Sequence, residues 1–445
     1  MVRIGSVVGI CALAYCASGQ PLPVNPQVQS IVSQVSADRI ADIQRKLENF
    51  GTRNIYSSVT DPEHGIGAAR EWIAAQFRGY SPKLQVAFDK HRLKGDASER
   101  LFKDVEIWNV IATLRGTTEP ERQVMVSGHY DSIHMVFKGG ANERRTLDAE
   151  ATVAADAPGV TDDGSGTAAV MELARVMSQF QFRKTIVFVA FASEEYGLEG
   201  SSTYAEAAAA RHELIEALFN NDIIGSDVMG NGETTNRYVN VFSEDPNDSP
   251  SRQVARYVKE MNARYQPGFD VNLVFRHDRF GRGGDHSPFN AYGFAAVRIT
   301  TPMENFSNQH TATDTFANTA PPYTALVARA NAAAIATLAL APKSPEIRPA
   351  PPAPLGRGDG YDAVMTWHND HPEADLLGYA VVMRKTTSPV WENEIFVGNV
   401  TTYTLPRVNI DEVALGVKAI DKNGDESLVS AFVTPPYRQR RVEQY

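Results

Sequence analysis

Cysteine is almost missing from this chain of 445 residues: there are two, Cys11 and Cys16, both ahead of Ser18. Once that segment is removed, neither a thiol nor a disulfide remains, so stability has to come from packing rather than covalent staples. Positive charge is also in deficit. Lys and Arg number 43 against 53 Asp and Glu, a formal net charge of −10. Nucleic acid and anionic membrane surfaces demand clustered cations, so neither is an expected partner. The apolar run at the start, Ile4 to Ala17, is broken only by Gly and Ser and is too short for a comfortable membrane span. With Arg3 before it and Ser18, Gly19 and Pro21 after it, residues 1–17 read as a signal peptide cleaved after Ala17 or Ala14. Cys16 follows Leu13-Ala14-Tyr15 and offers a lipid-anchor alternative, which the bulky Tyr15 disfavours. The expected location is secreted or periplasmic, with no membrane span after signal removal.

What is present is an ordinary globular balance, 43% hydrophobic and 22% charged, in a chain long enough for more than one compact unit. Ile31, Val32, Val35, Ile40, Ile43 and Leu47 recur near helical spacing between Gln27 and Asn49. A second helix is expected over Gly67 to Phe77, then strands at Leu84 to Phe88, Trp108 to Leu114 and Val124 to His129. Gly164-Ser-Gly166 opens a helix reaching Met177, and Thr185 to Ala192 is an uncharged, buried strand. Helices over Arg252 to Tyr265 and Tyr323 to Leu340 flank a strand at Ala295 to Ile299. This alternation predicts an α/β fold over residues 18–341, a mostly parallel or mixed sheet sandwiched by helices. Pro342, Pro345, Pro349, Pro351, Pro352 and Pro354 then make a stiff linker over 342–354. Short alternating strands beyond it predict an all-β sandwich over 355–437. The order Trp367, Leu377-Gly-Tyr379, Tyr403-Thr-Leu405 and the strand through Val417 resembles a fibronectin type III domain.

Three islands carry the chemistry. His129-Tyr-Asp131 sits at the mouth of a predicted strand, where an imidazole can ligate a metal and a carboxylate two residues on can hold its other nitrogen. Asp162-Asp-Gly-Ser-Gly166 precedes a helix; an acid there caps the helix favourably, but capping alone does not call for a glycine on either side of Ser165. Glu194-Glu195 ends a buried strand, where paired carboxylates are costly to desolvate unless a cation is near or the strand emerges into solvent.

In this order, followed by Asp222 and His310, the islands resemble the di-zinc exopeptidases of metallopeptidase family twenty-eight, which includes bacterial secreted aminopeptidases, glutamate carboxypeptidase II and glutaminyl cyclases. The resemblance runs from about Thr52 to Ala341. It implies two Zn2+ per chain: Asp162 bridges them, His129 and Asp222 complete one, and Glu195 and His310 complete the other. Glu194 becomes the general base that takes a proton from water and returns one to the departing amine. Asp131, and with it Asp314, supports the catalytic set, and Asp285-His286 matches a pair near the pocket, with His286 structural or substrate-lining. Gly51-Thr-Arg-Asn54 resembles the family's substrate-side segment. The insertion Met135 to Ala157 covers the site or shapes the pocket.

The resemblance therefore implies an aminopeptidase acting on peptide or protein N-termini. A carboxypeptidase or dipeptidase of the same fold ranks lower, because no arginine signature for a carboxylate pocket stands out. A glutaminyl cyclase is expected to lack a full two-zinc set. From a different class, a silent peptidase-like binding protein is disfavoured by the intact ligand set. The preferred residue, the oligomeric state and the role of the C-terminal domain are not legible.

Overall fold

The computed structural model describes residues 24–139, 145–348, 353–358 and 360–433. The expected signal peptide lies outside the described residues, as do 349–352 of the proline-rich segment and the chain beyond 433. The helical spacing after Gln27 resolves into two helices, α1 (Pro26–Gln34) and α2 (Ala37–Glu48), because Ser36 interrupts it as an N-cap, accepting the Arg39 N–H. There follow α3 (Gly65–Tyr80), β1 (Leu84–Leu93), β2 (Val105–Leu114) and β3 (Glu119–His129). The insertion forms a small hairpin, β4 (Phe137–Lys138) and β5 (Thr146–Leu147), and a short helix, α4 (Ala149–Ala154). Then come α5 (Gly164–Met177), β6 (Lys184–Phe191), α6 (Glu199–Ala210), β7 (Leu214–Asn221), β8 (Tyr238–Phe242), α7 (Pro250–Tyr265), β9 (Asp270–Val274), α8 (His286–Ala291), β10 (Ala296–Thr300) and α9 (Pro321–Leu340).

The strands make one eight-stranded mixed sheet in the order β1-β2-β6-β3-β7-β10-β8-β9. Its centre, β6-β3-β7-β10, is parallel throughout, and the antiparallel pairs lie toward the two sides. Both faces are covered, which is why β6 is buried along its whole length and apolar from Ile186 to Phe191. Successive residues divide between two cores: Val126, Phe188, Ala190 and Phe219 face one side, Met125, Val187, Val189 and Leu218 the other. Helices α1, α2, α3, α5, α7 and α9 serve the first core, α6 and α8 the second. Helix α9 is long and apolar enough to cross a membrane by length and composition, but 83% of its apolar window is buried inside the protein, so it reads as a core helix.

The C-terminal strands are β11 (Leu355–Gly356), β12 (Ala363–Thr366), β13 (Leu376–Lys385), β14 (Asn393–Gly398), β15 (Thr402–Leu405), β16 (Val413–Asp421) and β17 (Ser430–Ala431). They form two antiparallel sheets, β11-β12-β15 and β14-β13-β16-β17, around Trp367 and Tyr379, whose rings lie 5.6 Å apart. The described part of the proline-rich segment runs against this unit: Glu346 pairs with His368, and Ser344 donates to the Leu428 carbonyl.

The two units meet over α7 through buried charge. The Lys418 ammonium lies 2.8 Å from Glu260 and 2.7 Å from Glu394, and also contacts Glu426, which Arg264 reaches from α7. Arg384 bonds Asp248 at 2.6 Å, and the Trp391 indole donates to Gln253. Burial works against the Lys418 charge, but the three carboxylates outweigh it and raise its pKa. Removing the cation leaves buried Glu426 facing the part-exposed Glu260 and Glu394 with the ammonium gone. Lys418→Met should therefore cost about 3–5 kcal/mol, read as a fall in the urea midpoint. A midpoint unchanged from the parent would show that the ammonium is dispensable there.

Candidate active site

The carboxyl ends of the parallel strands converge on one crevice, the place where open α/β sheets present their functional groups. His129 is the last residue of β3, Glu194 and Glu195 follow β6, and Asp222 follows β7. Asp162 comes from the turn ahead of α5, and His310 from the long connection after β10. These residues, separated by up to 181 positions in sequence (129 to 310), surround a cavity of about 300 Å3 that Asp162, Glu194, Glu195, Asp222 and His310 line.

Asp162 is the centre. Its Oδ1 lies 3.2 Å from His129 Nε2 and its Oδ2 lies 3.1 Å from His310 Nε2, so the two oxygens of one carboxylate face opposite halves of the cluster. On one side Asp222 Oδ1 is 3.9 Å from His129 Nε2; on the other Glu195 Oε2 is 3.2 Å from His310 Nε2. The result is two ligand-type triads, His129–Asp162–Asp222 and Asp162–Glu195–His310, with Asp162 common to both. Glu194 Oε2 sits 4.0 Å from His129 Nε2 and is the less buried of the paired glutamates.

A layer of acceptors behind these groups fixes them. Asp131 is fully buried; its carboxylate accepts the backbone N–H of Glu194 at 3.2 Å and of Glu195 at 3.3 Å, and lies 3.5 Å from His129 Nδ1. Asp131 does not itself line the cavity, and its backbone carbonyl lies 3.1 Å from His129 Nδ1, so Asp131, expected among the catalytic residues, is instead a positioning residue. Asp314 accepts the N–H groups of Thr161 and Asp162. Asp163 caps α5 through Gly166 and also accepts from His129 and Ile223, tying the ends of β3 and β7 to one helix. The glycines of this motif follow from that crowding: a Cβ on Gly166 would stand 2.3 Å from the Asn221 carbonyl oxygen and from Asp163 Oδ2. The Asp162–Asp163 peptide bond is cis.

The electrostatics are those of a carboxylate excess. Burial would raise Asp162, but the two imidazoles win and hold it well below the usual carboxylate range. Burial, then the nearby charges of Asp222, Glu195 and Asp285, push Glu194 well up against the pull of His129. Burial opposes a charge on His310, yet Glu195 and Asp162 raise its pKa to about 11. Asp285 is pushed up to about 7, chiefly by burial. Glu195 Oε1 and both Asp285 carboxylate oxygens are buried with no hydrogen-bond partner among the described residues. Orphaned buried acceptors beside crowded carboxylates and imidazoles are what a divalent cation would satisfy. The donor set fits zinc.

Several residues behave differently from the sequence reading. Arg53, expected near substrate, is fully buried and donates to the carbonyls of Tyr130, Leu47, Pro158 and Gly159, a clamp behind the site. His286, expected to be structural or substrate-lining, is structural: its Nε2 lies 3.0 Å from the His277 carbonyl, and burial holds its pKa down to about 3. Arg298, on β10, went unnoticed; it is fully buried and donates to Asp222 Oδ2. Its signal was faint: a lone arginine inside an otherwise apolar predicted strand. The insertion does reach the site, because the Met135 N–H bonds the His310 carbonyl at 3.0 Å.

Fold and cluster together define the class, a zinc metallopeptidase. The chain belongs to peptidase family M28, whose model matches residues 109–335. A probable zinc metalloprotease of Pyricularia oryzae is 36% identical to it, over 93% of this chain and 88% of the relative. Among solved structures, an aminopeptidase from Aneurinibacillus sp. strain AM-1 is similar at a TM-score of 0.50 and 16% identity, covering 70% of this chain and 96% of that one. A glutaminyl cyclase of Fimbriiglobus ruber is similar at a TM-score of 0.50 and 17% identity, covering 68% and 95%. At such identities the two structures speak for the fold alone.

Because Asp131 orients His129 and the backbone of both glutamates, Asp131→Asn should weaken zinc binding about 10- to 100-fold. Competition against a chromophoric chelator reads this directly, with circular dichroism confirming an intact fold. Zinc affinity unchanged in the variant would remove Asp131 from the positioning layer.

Proposed function

We propose that this chain is an exported two-zinc aminopeptidase that removes N-terminal residues from peptides. The observation that carries the reading is the division of Asp162: one oxygen toward His129 and Asp222, the other toward His310 and Glu195. His129, Asp162 and Asp222 would hold one ion, Asp162, Glu195 and His310 the other. Bound there, the pair supplies Lewis-acid polarisation of the scissile carbonyl and acidification of the attacking water. Glu194, on the cavity wall and outside the bridging set, takes the water's proton as the C–N bond is attacked and delivers a proton to the departing amine nitrogen. The surrounding carboxylates favour a substrate with a free, cationic α-amine.

A carboxypeptidase reading would need arginines free to read a substrate carboxylate deep in the cavity. Arg279 and Arg282 both bond Glu304, and Arg279 also donates to Asp278 and Gly283; Arg100 lines the cavity only at the margin shared with its neighbour, where it donates to the Glu195 carbonyl. Export rests on the apolar segment 1–17. For the C-terminal unit, the partition of seven strands into β11-β12-β15 and β14-β13-β16-β17 supports a fibronectin type III-like sandwich following residue 354.

The test is hydrolysis of a panel of aminoacyl anilides. Release should be abolished by chelator, restored by zinc, and lowered about 10²- to 10⁴-fold in Glu194→Gln, with N-acetylated anilides resistant. Equal turnover of blocked and free substrates, or none of either, would sink the aminopeptidase reading.

A further inference from the structure

A second cavity, of about 440 Å3, adjoins the catalytic one and shares Arg100 and Met135 with it. The β1–β2 connection and the insertion build it together. Phe102, Met135, Phe137 and Leu147 give it an apolar wall, and Arg100 and Arg145 supply two guanidinium groups against the single carboxylate of Glu99. Arg145 lies over the Phe137 ring, 4.6 Å from its centroid, close enough for a cation–π contact.

This chamber is attached to one half of the catalytic cluster. Arg100 Nη1 donates to the Glu195 carbonyl at 2.7 Å, and the Met135 N–H donates to the His310 carbonyl. The opposite half, around His129, carries the greater carboxylate density: Asp162, Asp222 and Glu194 all stand within 4.0 Å of His129 Nε2, against Asp162 and Glu195 at His310. A substrate amine is drawn to that denser half. The chain beyond the scissile bond then leaves across the Glu195–His310 half and meets the chamber. Arg100 and Arg145 are both exposed, and the Nη2 group of Arg100 has no protein acceptor among the described residues. An apolar wall with a cationic rim fits one kind of occupant: an apolar residue that also carries a carboxylate.

We propose that the chamber binds the C-terminal residue of a short peptide, its apolar side chain against Phe102, Met135, Phe137 and Leu147 and its free carboxylate on Arg100 and Arg145. The assignment rests on the aminopeptidase reading and deepens it, giving the substrate class as short apolar peptides with a free C-terminus. It would make the enzyme a finisher, consuming the products of an endopeptidase-type reaction rather than trimming intact proteins.

The experiment is calorimetric titration of the full chain carrying Glu194→Gln, zinc-loaded, with the dipeptide Leu-Phe and with its C-terminal amide. The acid should bind about 10-fold more tightly, which corresponds to about 1.4 kcal/mol. Adding Arg100→Gln and Arg145→Gln should bring the two affinities together. Phe137→Ser should weaken both ligands while preserving their ratio, which separates the wall from the rim. Equal affinity for acid and amide, a preference that survives loss of both arginines, or no binding of either dipeptide would overturn the proposal. Anilide turnover by the unaltered chain tests the peptidase reading separately. Chelator-sensitive turnover alongside equal acid and amide affinities would sink the chamber assignment alone.

Discussion

Carboxylates that water does not reach are the constraint on which this structure depends. Asp131, Asp162, Asp163, Glu195, Asp222 and Asp285 are all buried at one end of the sheet, with two imidazoles among them. Each isolated charge of that kind would cost several kcal/mol to desolvate, so the fold must supply donors, cations or both. It does so unevenly. Asp131, Asp163 and Asp314 are satisfied by backbone N–H groups, and Asp222 by Arg298. Asp162 and Glu195 face only imidazoles, and Glu195 Oε1 faces nothing. The satisfied set holds the unsatisfied set in position, which distinguishes a site prepared for a cation from a cluster that merely tolerates acid.

The backbone is shaped by the same requirement. Two strand ends and a helix start come close enough for one carboxylate, that of Asp163, to bond all of them, and such closeness admits no side chain at Gly128 or Gly166. A Cβ on Gly128 would meet the Gly166 carbonyl carbon at 2.6 Å. The Arg53 guanidinium does comparable work one layer back, spreading its donors over four carbonyls that no strand or helix satisfies. The supports around the cluster are buried side chains, each anchored on backbone groups or on a buried ion pair.

Much of this was legible in the residues. Strands ending at His129 and at Phe191 were readable as buried apolar runs closing on polar groups, and the glycines around Ser165 signalled tight packing. The bridging role expected of Asp162 comes from the resemblance, since nothing local distinguishes it from Asp163, which the structure makes the cap. Helix α6 went unread because its alanine-rich sequence has no strong amphipathic stripe. Strands β8 and β9 are five residues each, too short for a period of two to stand out. Arg298 and Asp222 are 76 residues apart, and their pairing depends on β10 lying beside β7. Partnerships of that kind are written in topology, not in local pattern. Arg53 misled for the opposite reason: its segment is adjacent to substrate-facing loops while its side chain turns inward.

The C-terminal unit belongs to the same chain of support. Lys418, Arg384 and Trp391 brace it against α7. From α7, Ser251 donates at 2.6 Å to the carbonyl of Ala296, the first residue of β10. Two residues along that strand stands Arg298, which holds Asp222 in the cluster. The path runs through packed backbone and buried ion pairs, with no flexible linker in it, so the sandwich is better understood as a brace on the helix beneath β10 than as a separate module on a tether. A module whose work was only to dock distant substrate would not need a fully desolvated lysine to hold its orientation, because such an interface costs more to form than a loose one. The cost makes physical sense if the position of β10, and through Arg298 the position of Asp222, depends on it.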